Sequence, residues 1–96
     1  MISGNLDHGV GIGNSGTDGN AVKGNYIGTD AWGTAALPNG QAGVIIFSGA
    51  KNNSVGGIAA GGERNVIAYN NEDGVQVHAQ HGDTTGNTIR GNSIHS

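Results

Sequence analysis

The sequence contains no cysteine, which excludes disulfide bonds and thiolate metal sites. A single proline excludes a collagen triple helix, because that structure requires proline-rich triplets with glycine at every third position. Only four lysines and arginines are present, so the composition gives no support to nucleic-acid binding. No apolar run approaches the roughly 18 residues of a membrane-spanning helix. We therefore expect neither a nucleic-acid partner nor a membrane span.

Glycine is abundant instead, with 20 residues in a chain of 96. Glycine and asparagine accept positive φ angles at little cost, so a chain rich in both is typical of a fold with many tight bends. A disordered chain of this polarity would carry more than 11% charged residues. The length fits one domain.

Three short strand signals recur in the same order along the chain. The first is Gly-Val-x-(Ile/Val), the second is Asn-x-(Val/Ile), and the third is a short segment centred on an isoleucine. The first occupies 9–12, 43–46 and 74–77, the second 20–22, 53–55 and 87–89, and the third is centred on Ile2, Ile27, Ile67 and Ile94. The order first, second, third repeats three times, and Ile2 belongs to an earlier turn.

Apolar residues alternate within the signals, as in Val10 and Ile12, and a period of two places them on one face of a strand. No stretch has the period of a helix. A short strand cannot bury its face alone, but equivalent strands of successive turns can stack as parallel sheets around a shared interior. The sequence therefore predicts an all-β fold, a right-handed single-stranded parallel β-helix (a solenoid) of about three turns and three parallel sheets.

Asparagines fall into two predicted columns beside these strands. The columns are Asn20, Asn53 and Asn87, and Asn25, Asn65 and Asn92. Stacked side-chain amides can hydrogen-bond along the axis of such a stack. We therefore expect asparagine ladders between the turns.

The pattern predicts one β-helix domain over 1–96, with insertions at 28–43 and 57–64. The first residues already follow the repeat and the last stop within a unit, so we expect an excerpt of a longer repeat array. No capping helix is recognisable at either end of the array. Because open strand edges invite pairing with another chain, we expect self-association by end stacking or edge pairing, giving a homo-oligomer.

Four phrases represent the repeat well. They are Ile-Ser-Gly-Asn at 2–5, Gly-Asn-Tyr-Ile-Gly-Thr-Asp at 24–30, Asn-Val-Ile at 65–67 and Thr-Gly-Asn-Thr-Ile at 85–89. These units resemble the right-handed parallel β-helix repeats of the pectin lyase-like superfamily, in particular its repeat-rich bacterial proteins. That superfamily includes lyases, hydrolases, epimerases and non-catalytic surface proteins, so the resemblance implies an architecture but no single reaction. It also implies an extracellular or cell-surface location, which the residues alone do not identify.

Two basic residues are predicted to point outward from the second sheet. Lys23 and Arg90 fall in one column on either side of Gly56. Such a pair is suited to an acidic polysaccharide, because carboxylates bind well to lysine and arginine. The alternative is two solvated charges on an exposed sheet.

Two apolar residues are predicted to point outward from the first sheet, namely Ile45 and Phe47. Exposed apolar residues need a cover, and the 28–43 insertion, which contains Trp32, is the expected one. The alternative is a surface for a ligand or partner. Trp32 and Phe47 therefore join Lys23 and Arg90 as candidate ligand-binding residues.

The acidic residues and histidines form no recognisable catalytic or metal-binding set. Glu72 and Asp73 are the only adjacent acids, and glycoside hydrolysis needs two carboxylates that face each other. Zinc needs three or four converging ligands, whereas His78 and His81 are only two. We assign no catalytic residue, metal site or cofactor, and a Ca²⁺ ion on bend carbonyls with one aspartate stays an open alternative.

The expected function is a non-catalytic structural or interaction module of a surface or extracellular protein, which self-associates through its open ends. One alternative is a fragment of a polysaccharide-active enzyme, a lyase or hydrolase of acidic glycans. Another is a carbohydrate-binding module.

Overall fold

The computed structural model describes residues 1–57, 64–78 and 84–94. This part of the chain contains nine β-strands and no helix. The strands are β1 (Val10–Gly13), β2 (Ala21–Val22), β3 (Tyr26–Ile27), β4 (Val44–Phe47), β5 (Ser54–Gly56), β6 (Val66–Ile67), β7 (Val75–Val77), β8 (Thr88–Arg90) and β9 (Ser93–Ile94). Glycine and asparagine flank almost every strand, which explains why the strands are short.

The strands form three parallel sheets of three strands each. Sheet 1 has the order β1-β4-β7, sheet 2 the order β2-β5-β8 and sheet 3 the order β3-β6-β9. The chain thus visits sheets 1, 2 and 3 in turn, three times, and we call each circuit a pass. This confirms the all-β class and the predicted order of the strand signals, and it is compatible with a parallel β-helix.

The register aligns the apolar residues of successive passes. The aligned rows are Val10, Val44 and Val75; Ile12, Ile46 and Val77; Val22, Val55 and Ile89; and Ile27, Ile67 and Ile94. Ile2 extends the last row by a parallel bridge to Ile27. Parallel pairing in register keeps equivalent side chains on the same face of a sheet. Each strand signal therefore contributes to the same interior in every pass.

One hydrophobic core is shared by all three sheets. It includes Ile46 from sheet 1, Val55 from sheet 2 and Ile67 from sheet 3, all fully buried. Ile2 and Val10 pack against its edge. Full burial of such a side chain stabilises a fold by about 1.5–3 kcal/mol, so the middle pass contributes most of the hydrophobic stabilisation.

The 28–43 insertion begins with a tight antiparallel turn. Thr29 pairs with Ala36, and the Leu37 N–H donates to the Gly28 carbonyl oxygen at 2.9 Å. Gly33 lies against the ring of Tyr26, on β3, so the turn packs beside sheet 3. Of the second predicted insertion, 57–64, only Gly57 and Arg64 belong to the described residues.

Contrary to expectation, this turn does not cover the outer face of sheet 1. Trp32, at its tip, is 81% exposed, so it does not shield Ile45 or Phe47. Those two residues do point outward and are half-buried, as predicted. The expectation was wrong because apolar composition does not indicate which surface a loop covers. The position of this loop depends on the strand that precedes it, and that strand belongs to sheet 3.

Candidate functional site

Asparagine side chains connect the passes at the bends. Two ladders match the predicted columns, Asn20–Asn53–Asn87 and Asn25–Asn65–Asn92. At each step the backbone N–H and the side-chain Nδ2 of one asparagine donate to the Oδ1 of the next. The distances from Asn20 to Asn53 are 2.8 and 3.0 Å. The ladders fix the register of the bends as the strands fix the register of the sheets.

A third ladder, which is not among the predicted columns, joins Asn5, Asn39 and Asn70 between sheet 3 and sheet 1. Asn5 donates to Asn39 at 3.1 and 2.9 Å, and Asn39 donates to Asn70 at 3.3 and 2.8 Å. Asn5 and Asn70 each follow a third-signal isoleucine at the same interval, which is the sequence signal that identifies them. Asn39 lacks that spacing because the insertion separates it from Ile27.

The central member of each ladder is fully buried, and Asn53 shows how it is satisfied. Its Nδ2 donates to the carbonyl oxygens of Thr17 and Lys51 at 3.0 and 3.1 Å, as well as to Asn87. Within the described residues, no buried side-chain nitrogen or oxygen lacks a hydrogen-bond partner. A buried amide without partners would cost about 1–3 kcal/mol, so the ladders make a polar interior compatible with folding.

All three ladders run in one direction. Each accepting Oδ1 receives its hydrogen bonds from an asparagine of the preceding pass. Each donating backbone N–H is bonded to an asparagine of the following pass. At the first-pass end of the ladders, no donor among the described residues reaches the Oδ1 atom of Asn5, Asn20 or Asn25. At the other end, within the same residues, the ladders leave backbone N–H groups without an acceptor on Asn70, Asn87 and Asn92.

The third pass exposes its inward-facing residues. Val77, Ile89 and Ile94, one from each sheet, are 46%, 38% and 46% exposed, and we call them the open face. The first pass differs, because Ile12 and Ile27 are buried. Ile2 packs against this end of the core. The two ends of the stack are therefore unlike: one is covered by Ile2 and the other presents the open face.

Lys23 and Arg90 both belong to the region of sheet 2. Arg90 lies on β8 and pairs with Gly56 on β5, as the predicted column requires. Lys23 directly follows β2, whose described pairing ends at Val22. Both side chains are exposed. A ligand on this column stays a prediction.

Phe47 and Trp32 lie on other parts of the molecule. Phe47 extends from β4 of sheet 1 over the glycines of β1, and a Cβ placed on Gly13 would lie 2.6 Å from its ring carbon Cε2. Trp32 lies at the tip of the turn beside sheet 3. The four candidate ligand-binding residues are thus distributed over all three sheets, and the structure does not bring them together as one patch.

The acids and histidines mostly serve local structure. The Gln76 Nε2 donates to Asp73 at 2.9 Å, and the Gln76 Oε1 lies 2.8 Å from the Nε2 of His78. In the described ranges no three histidine or acidic side chains form a group that could hold a metal ion. His81 lies outside those ranges.

Asp30 organises the exposed turn of the insertion. Its carboxylate accepts hydrogen bonds from the backbone N–H groups of Thr34 and Trp32 at 2.9 and 3.2 Å, and from the Thr34 hydroxyl. These bonds, that of the Thr34 N–H first, lower the pKa of Asp30 below its usual 3.8. The carboxylate therefore acts as the hub of the turn while it is ionised.

Comparison with known proteins provides no relative. No family model, curated protein or solved structure matches the chain. The described residues contain no helix long and apolar enough to cross a membrane.

Proposed function

We propose that the chain is a non-catalytic structural and interaction module, a right-handed parallel β-helix that associates with further copies of itself through the open face. The exposure of Val77, Ile89 and Ile94 carries the proposal. Their equivalents in the middle pass are fully buried. Apolar side chains on a contiguous face favour association, because a partner removes them from water.

The shared core supports the β-helix part of this proposal. Three sheets that are visited in a fixed order contribute side chains to one cluster, which is compatible with a solenoid. The right-handed sense follows the strong preference of parallel crossover connections. The repeated phrases also make a relationship to the pectin lyase-like superfamily part of the proposal.

The hydrogen-bond partners of three carboxylates support a structural role. Asp30 holds a turn, and Asp18 accepts from the backbone N–H of Lys51 at 3.2 Å across a bridge between passes. Asp7 accepts from the Nε2 of Gln41 at 3.4 Å. Each of these carboxylates stabilises a bend, whereas hydrolysis of a glycoside needs two that face each other across a sugar.

Sedimentation velocity over a range of concentrations tests the proposal. The wild-type chain should show a weight-average mass that rises with concentration. Ile89→Asp should weaken association at least tenfold, because association would remove an unpaired carboxylate from water, and about 1.4 kcal/mol corresponds to tenfold. Tyr69→Asp is the matched control, since Tyr69 follows β6 on the middle pass, away from both ends of the stack, and is 42% exposed.

Two results would contradict the proposal. One is a single-chain mass at every concentration, and the other is release of oligosaccharides from an acidic polysaccharide such as polygalacturonate. Circular dichroism of both variants establishes that they are folded, so that a loss of association reports on the open face.

A further inference from the structure

The two ends of the asparagine ladders have complementary hydrogen-bonding groups. The first pass presents the Oδ1 atoms of Asn5, Asn20 and Asn25, and the last presents the backbone N–H groups of Asn70, Asn87 and Asn92, as described above. Each of these acceptors belongs to the same ladder as one of these donors. The donor end of one copy therefore matches the acceptor end of another, ladder by ladder.

Ile2 occupies the place that a strand of a preceding pass would take. Its N–H donates to the Tyr26 carbonyl oxygen at 2.8 Å, and its own carbonyl accepts from Gly28 at 2.9 Å. The same relation joins consecutive strands of sheet 3, where the Ala68 N–H donates to Ile27 at 3.0 Å. Ile2 is thus equivalent in register to Ile94, because both extend the row of Ile27 and Ile67 at opposite ends.

We infer that two copies of this chain stack head to tail, and that Ile94 of one copy replaces Ile2 of the next. This inference rests on the proposed self-association and adds its direction and its control. Residues 1–4 of the second copy leave their place, and β9 of the first copy pairs with β3 in their stead. Sheets 1 and 2 continue in the same way, β7 beside β1 and β8 beside β2.

The exchange conserves most contacts and adds others. The two backbone hydrogen bonds that Ile2 makes, to Tyr26 on β3 and from Gly28 directly after it, are replaced by those of an equivalent strand. Val77 and Ile89 gain a cover that they lack in the single chain. The displaced segment loses the hydrogen bond from the Ser3 hydroxyl to the Thr29 carbonyl at 2.6 Å and that from the Gly4 N–H to Leu37 at 3.2 Å. The segment 1–4 therefore competes with the second copy and limits association.

Stacking of two open faces against each other is less favourable. That arrangement would bring the ladder N–H groups of one copy toward those of the other, so that donors face donors. Desolvating such groups without an acceptor is unfavourable. Only the head-to-tail arrangement provides every ladder with its partner.

Cross-linking of full-length chains tests the direction. In the inferred assembly Ser93 of one copy lies beside Tyr26 of the next, on adjacent strands about 4.8 Å apart, which is within the range of a disulfide. The wild-type chain has no cysteine, so each variant carries one thiol. A mixture of Tyr26→Cys and Ser93→Cys chains should form a disulfide-linked heterodimer on oxidation.

Val66→Cys replaces Tyr26→Cys in the matched control mixture. Val66 lies in the same row on the middle pass, one strand farther from the interface, and should not cross-link to Ser93→Cys. Homodimers of Ser93→Cys alone would indicate that open faces meet and would overturn the inference. Association without the heterodimer would overturn it as well and leave the proposed function in place, whereas a chain that never associates contradicts both.

Deletion of residues 1–4 tests the competition. The shortened chain should associate at least tenfold more tightly than the full chain, measured by sedimentation velocity. A folded shortened chain with unchanged affinity would overturn the displacement of Ile2. If the deletion prevents folding, Ile2→Ser in the full chain serves the same test, with Tyr69→Ser, on the middle pass, as its control.

Discussion

Gly28 and Gly16 have nearly the same backbone conformation, with φ angles of 92° and 89°, but different surroundings. A Cβ on Gly28 would collide with the carbonyl oxygen of Ala68, on the next pass of sheet 3, whereas a Cβ on Gly16 would meet no atom within 4 Å. The pair therefore separates the effect of a positive φ from that of close approach between passes.

Gly28→Ala should destabilise the fold far more than Gly16→Ala. A positive φ alone costs alanine about 1–2 kcal/mol, and this should be the whole effect at Gly16. At Gly28 the backbone of sheet 3 must also move, so we expect a loss of about 3 kcal/mol or more. Urea denaturation measures both free energies of unfolding, and equal losses would contradict the close packing of the passes.

Asn53 and Asn20 offer a similar comparison for the ladders. Asn53→Ala removes a buried amide that bonds to Asn20, Asn87 and two carbonyl oxygens. The two carbonyl oxygens and the backbone N–H of Asn20 lose this partner, whereas Asn87 keeps the bond from the Asn53 backbone N–H. At about 1–3 kcal/mol for each such group, the variant should lose about 3 kcal/mol or more. Asn20→Ala, at the exposed end, keeps its backbone N–H bond to Asn53 and should lose less than about 1 kcal/mol. Thermal or urea unfolding measures the difference, and a tolerant Asn53 would show that the ladders contribute little.

At the scale of the element, the turn held by Asp30 should depend on pH. The pKa of Asp30 is lowered in the folded chain, so the ionised carboxylate stabilises the turn above pH 3.8. This contribution is lost as the pH falls through the folded-state pKa, which lies below 3.8. Trp32 is the only tryptophan, so its fluorescence reports the change. Asp30→Asn should lack this transition, and an identical acid transition in the variant would assign it to other groups.

Within strand β2, neighbouring residues should respond oppositely to the same substitution. Val22 is buried and pairs with Val55, while Ala21 beside it is exposed. Val22→Asp places an unpaired charge in the core and should prevent cooperative folding. Ala21→Asp should leave the free energy of unfolding within about 0.5 kcal/mol. Circular dichroism melting curves distinguish the two, and a cooperative transition in Val22→Asp would show that the register is wrong.

The strands were predictable because their pattern is local. The alternation of Val44 and Ile46 with Ile45 and Phe47 follows from a period of two, and recurrence of the phrases aligns the sheets. The position of the 28–43 insertion was not predictable. Its packing beside Tyr26 depends on a pairing of Thr29 with Ala36, and the repeated strand signals do not indicate that pairing. The same insertion concealed Asn39 and hence the third ladder.

At the scale of the molecule, the difference between the two ends was only partly visible in the sequence. The repeat predicts open edges at both ends, because it treats all passes as equivalent. The structure shows that Ile2 covers one end of the core and that no equivalent residue among those described covers Val77, Ile89 and Ile94. Ile2 precedes the first complete pass, so its contact with the core has no counterpart in the repeat of the strand signals.

The common direction of the ladders also gives the molecule an electrical polarity. Side-chain amides are dipoles. The dipole moments of amides that are stacked in one orientation add, as those of peptide groups do in a helix. The oxygen end of the summed dipole lies at the first pass, beside Asn5, Asn20 and Asn25. The hydrogen end lies at the third pass, beside Asn70, Asn87 and Asn92. Every pass added in the same sense lengthens the three rows of dipoles, so that cations should be favoured near one end of the stack and anions near the other.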